Sequence, residues 1–67
     1  MKNLKMKIAR MEKDISQIEL AERVGVTRQT IGMMEAGAYN PSLKLCKAVC
    51  RELGKTLDEL FWEEETE

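Results

Sequence analysis

The sequence predicts an all-α fold, a compact bundle of five short helices. Three observations carry that prediction. Helix-capping residues recur at Ser16, Thr27, Ser42 and Thr56, and Gly25, Gly37 and Gly54 fall between them, where helices stop. Proline occurs once and glycine four times, too few for a fold built from many tight turns. No alternating strand pattern and no internal repeat is present. A chain that is 43% apolar and 34% charged suits a folded helical domain rather than a disordered one.

The first helix is placed near residues 3–13. It offers two apolar stripes, Leu4, Ile8, Met11 and Ile15 on one side and Met6 and Ala9 on the other, and periodicity does not choose between them. Asp14 sits between helices one and two, and Asp tolerates a left-handed conformation better than most residues. Ser16-Gln17-Ile18-Glu19 is a capping box that opens helix two, near 17–24. Gly25 ends it, and Thr27 caps helix three, near 28–36. Gly37 follows, and Asn40-Pro41-Ser42 forms a turn whose Ser42 caps helix four, near 43–53. Helix four has the clearest stripe, with Cys46, Val49, Cys50 and Leu53 inside and Lys44, Lys47 and Arg51 outside. Gly54 stops it. Thr56-Leu57-Asp58-Glu59 is a second capping box for helix five, near 57–62, with a short strand at 60–63 as the alternative.

The length of 67 residues fits one domain, 1–67. A single core of that size rarely supplies more than about 3–5 kcal/mol, so a second copy, a metal or a disulfide often helps. Composition also argues against chemistry. Histidine is absent, and two cysteines are too few for a structural zinc site. No glycine-rich phosphate loop is present, so no enzyme, metal or cofactor is expected. No apolar run approaches the ~20 residues needed to span a bilayer, and no signal peptide is visible. A cytoplasmic, non-membrane protein is the expectation.

Net charge is −1, unevenly spread. Residues 1–13 carry net +4 and residues 55–67 net −5, so a mildly basic body precedes an acidic tail at 63–67. Phosphates respond to the local patch, so this total leaves nucleic-acid binding open.

Residues 17–36 carry the functional signal. Ala21 is a small residue where a second helix can approach closely, and Gly25 supplies a sharp turn four residues on. Leu20, Val24, Val26, Ile31 and Met34 converge inward across that turn. Gln17, Arg28, Gln29 and Thr30 are left outside. Two short helices joined in this way form a helix-turn-helix whose second helix can enter the major groove of DNA. Arg can fork onto guanine O6 and N7, and Gln can pair with adenine N6 and N7.

Ser16-Gln17-x-Glu19-Leu20-Ala21, Gly25-Val26-Thr27-Arg28-Gln29-Thr30-Ile31 and Glu35-x-Gly37-x-Tyr39-Asn40-Pro41-Ser42-Leu43 together resemble the Cro/CI, or xenobiotic-response-element (XRE), helix-turn-helix family. Leu57-Asp58-Glu59-Leu60-Phe61-Trp62 resembles the last helix of its compact members. The resemblance spans about residues 3–62. It implies a lambda-repressor-like DNA-binding domain and a homodimeric repressor on a palindromic operator. By position, Gln17 would bond a phosphate, Arg28 and Gln29 would read bases, and Thr27 and Thr30 would touch phosphate or sugar. Tyr39 and Asn40 would clamp the DNA backbone, and Arg10 with Glu35 would form a partly buried ion pair.

The stripe of helix three departs from the family pattern. It runs Gln29, Gly32, Met33, Ala36, so only its first turn carries hydrogen-bonding readers. Met33 is expected at the surface, where it could touch a thymine methyl, and Met34 in the core. Modest specificity or readout of DNA shape follows. Gln17, Arg28 and Gln29 read without the motif are plain surface residues. Tyr39 and Asn40 can equally form a turn that caps helix four, and the two roles are compatible. Cys46 and Cys50 are read as buried core rather than a redox or metal pair. Leu57, Phe61 and Trp62 are placed at a dimer interface, with packing on their own core as the alternative for Phe61. The expected function is a homodimeric DNA-binding regulator of transcription with no small-molecule effector. The alternatives are the antitoxin of a toxin–antitoxin pair and an interaction module that has lost DNA specificity.

Overall fold

The computed structural model of the chain describes residues 3–61 and contains five α-helices: α1 Leu4–Glu12, α2 Gln17–Val24, α3 Arg28–Ala36, α4 Leu43–Leu53 and α5 Leu57–Phe61. Leu60 and Phe61 are helical, so the strand alternative is not taken there. Trp62 and the acidic tail lie outside the described residues.

Local signals set the boundaries. In the capping box of α2, Ser16 Oγ accepts from the Glu19 amide and Glu19 Oε1 accepts from the Ser16 amide, at 3.0 and 3.1 Å. Thr56 and Glu59 repeat the arrangement before α5. Thr27 and Ser42 cap α3 and α4, accepting from the amides of Thr30 and Leu45. Asn3 caps α1 by accepting from the Met6 amide at 3.0 Å, a further cap besides those at Ser16, Thr27, Ser42 and Thr56. The chain leaves α1 through Asp14 at φ 57°, and leaves α2, α3 and α4 through Gly25, Gly37 and Gly54 in the left-handed region.

The five helices enclose one core. α2 packs on α3 and α4, α1 on α3 and α5, and α4 on α5. Met6, Leu20, Ile31, Val49 and Leu53 are its largest fully buried side chains. Leaving one such residue exposed instead would cost roughly 1.5–3 kcal/mol. α1 turns Met6, Ala9 and Arg10 inward and leaves Leu4, Ile8 and Met11 more than half exposed. Ile15 is buried, but it follows the helix rather than extending that outer stripe. Ala21 is buried between helices, and Cys46 and Cys50 are free thiols on the buried face of α4. No helix among the described residues is long and apolar enough to cross a membrane.

Candidate nucleic-acid interface

α2 and α3 are joined by a three-residue corner. Gly25, at φ 80°, turns the chain, and the Gly25 and Val26 amides both donate to the Ala21 carbonyl, at 2.9 and 3.0 Å. Leu20 and Ile31 lie buried in the shared core, and half-buried Val24 and Val26 pack against that core, so the two helices are held as one unit. That packing sets which side chains of α3 stay outside.

Arg28 and Gln29 occupy the first turn of α3 and are exposed. Thr27 is exposed and Thr30 half-buried, and their hydroxyls lie 3.0 Å apart in a hydrogen bond. Met33 is half-buried and Met34 buried. Gly32, also half-buried, faces Gln17: a Cβ at Gly32 would stand 3.9 Å from both Nε2 and Oε1 of that side chain. Tyr39 and Asn40 are exposed in the segment after Gly37. Leu57 and Phe61 pack against the core and stay half-buried, so part of each is already used within the chain.

Beneath this surface lies a polar network. Arg10 Nε donates to Glu35 Oε2 at 2.7 Å and Nη2 to Oε1 at 3.3 Å, with both side chains largely buried. A third donor, Nη1, reaches the Ile15 carbonyl at 2.8 Å, beside the cap of α2. Glu35 Oε1 also accepts from Gln17 Nε2 at 3.0 Å. The Glu35 carbonyl accepts from the Asn3 amide at 2.9 Å, at the other end of α1. Among the described residues no buried side-chain nitrogen or oxygen lacks a partner. The Gln17–Glu35 bond joins residues on different helices, and no local pattern announces it. Among the described residues no group of three or more His, Cys, Asp or Glu side chains could hold a metal ion.

The model of the Helix-turn-helix family matches residues 6–60. An HTH-type transcriptional regulator of Bacillus subtilis, YgzD, is 45% identical over 65 residues, covering 97% of each chain. An HTH-type transcriptional regulator of Methanothermobacter thermautotrophicus is 51% identical over 53 residues, 78% of this chain and 77% of the relative. The immunity repressor protein of Bacillus phage phi105 is 33% identical over 60 residues, 90% of this chain and 42% of that longer protein. The chain therefore belongs to the helix-turn-helix family of DNA-binding transcriptional regulators, in its Cro/CI (XRE) branch.

Proposed function

We propose that the chain is a homodimeric repressor that recognises a palindromic operator through α3 in the major groove. The observation that carries this reading is the pair Arg28 and Gln29, consecutive in sequence and both exposed on the first turn of α3. Both are long hydrogen-bonding side chains suited to base edges, each such contact being worth about 1–3 kcal/mol of discrimination. Gln17, at the start of α2, donates to phosphate, where the helix dipole favours an anion. Thr27, Thr30, Tyr39 and Asn40 add contacts to the backbone, and Met33 an apolar one. The likeness to a phage immunity repressor favours repression, which here means covering promoter DNA without catalysis. The dimer forms through Leu57, Phe61 and Trp62 and sets two α3 helices about one DNA turn, ~34 Å, apart. On this reading the protein acts in the cytoplasm and without a small-molecule effector.

Selection of bound sites from a randomised duplex pool tests this, run beside Gln29→Ala. The expected result is a palindromic site with half-sites about 10 base pairs apart, one base losing its preference in the variant. No enrichment at low salt would overturn the reading in favour of a protein-interaction module. Sedimentation of wild type against Trp62→Ala tests the interface, and a monomeric wild type at tens of micromolar would remove it.

A further inference from the structure

We propose that Glu35, neutralised by Arg10, is a positioning residue for DNA binding: it holds the Gln17 carboxamide so that one amide hydrogen faces inward and the other is presented to phosphate. The inference rests on the reading that the start of α2 meets DNA.

Glu35 is where four parts of the chain meet. Its carbonyl holds Asn3, and its carboxylate holds Arg10 of α1 and Gln17 of α2. A carboxamide has a donor end and an acceptor end that exchange by a half-turn. An ionised carboxylate accepts only, so it selects the donor end and excludes the other. Nε2 carries two hydrogens, and the bond to Oε1 at 3.0 Å uses one. The second remains for an outside acceptor. The carboxamide also lies against Gly32, 3.9 Å from the position a Cβ would take. Both ends of the Gln17 side chain are therefore placed, the backbone by the capping box and the amide by Glu35.

A bare carboxylate here would repel a phosphate. Arg10 removes that objection with its bonds to both Glu35 oxygens, and its third bond, to the Ile15 carbonyl, fixes the chain just before α2. One guanidinium thus sets the charge balance and the approach of α2. A side chain already fixed in its binding geometry loses less freedom when the ligand arrives.

Two measurements test this. The first is a double-mutant cycle on affinity for a random-sequence duplex of about two helical turns at low salt. It compares Gln17→Ala in wild type with Gln17→Ala in the Arg10→Met/Glu35→Leu background. Replacing a buried ion pair with apolar residues of similar size generally keeps the fold, and circular dichroism checks it. Gln17→Ala should weaken binding about tenfold in wild type, the scale of a hydrogen bond to a charged group, and have little effect without the pair. An equal loss in both backgrounds overturns the proposal while leaving the DNA reading intact. A wild type that binds no duplex removes that reading and the proposal together.

The second measurement uses wild type alone, so it stands even if the apolar variant fails to fold. In nuclear magnetic resonance spectra one Gln17 carboxamide proton, the one held by Glu35, should lie away from its free-amide position. Only the other should shift as the same duplex is added. Two protons at free-amide positions, or two that shift alike, would overturn the proposal.

Discussion

Replacing glycine by alanine at two positions should move stability in opposite directions. Gly32 is the fifth residue of the nine-residue α3, inside the helix. A Cβ there would meet Gln17 at 3.9 Å, ordinary van der Waals contact with no clash. Alanine in a helix interior is better than glycine by about 0.8–1.0 kcal/mol, so Gly32→Ala should stabilise by about that amount. For a chain of this size that raises Tm by roughly 4–8 °C. Gly25 has more room, with nothing within 4 Å of the added carbon. Its φ of 80°, however, is left-handed. An L side chain there costs roughly 1–2 kcal/mol, so Gly25→Ala should lower Tm by a comparable or larger step. Thermal and urea unfolding followed by far-ultraviolet circular dichroism reads both. If Gly32→Ala destabilises, the Gln17 side chain does not lie as described. If the two variants shift together, backbone conformation is not what decides the sign.

Two further outcomes follow from titratable groups. The Thr56 backbone amide, donating to the Glu59 carboxylate, holds its pKa below the usual Glu value, with Lys55 adding to the effect. A lowered folded pKa means the contribution is present above the ordinary Glu range and lost as pH falls through the folded value. Carboxyl-carbon resonances should therefore show Glu59 titrating at lower pH than an ordinary exposed Glu, and a Glu59 titration at or above the ordinary value would refute the cap. Burial pushes the Cys46 and Cys50 thiols up, Cys50 further through the neighbouring Cys46 and Glu59 charges. Both should react slowly with a disulfide reagent at neutral pH and quickly once the chain unfolds, and fast labelling of the native protein would contradict that burial.

The helix boundaries were legible because their causes are local. A capping box or a terminal glycine acts within four residues, and so its pattern is visible in the chain. The buried stripe of α4 was legible because hydropathy and packing agree there. α1 was not, and the reason is physical. Its inward face carries Met6, Ala9 and Arg10, and a charged residue counts against burial unless its partner is known. That partner, Glu35, lies on another helix, and only the family resemblance pointed to it. The Gln17–Glu35 bond was invisible for the same reason, since it depends on how α2 settles against α3. The outward face of α1 carries three large apolar side chains that look like core in one dimension. Arg28 and Gln29 were legible as outward polar residues because the apolar positions around them face the core, but only the helix-turn-helix motif set them apart from plain surface.

The caps also bear on how quickly the chain finds this fold. Each helix is shorter than the ~12–15 residues at which an isolated helix is even marginal in water, so none persists alone. Yet the start of each helix and the glycine stops of α2, α3 and α4 are already written into the unfolded chain, so the brief helical turns that flicker there begin in native places. The collapse search then concerns packing rather than register. α2 with α3 and α4 with α5, neighbours along the chain, also pack together, so much of the early structure needs only short loops to close. Helical domains with such local contacts refold on the microsecond-to-millisecond scale. A regulator built this way regains its shape far faster than a cell synthesises a replacement.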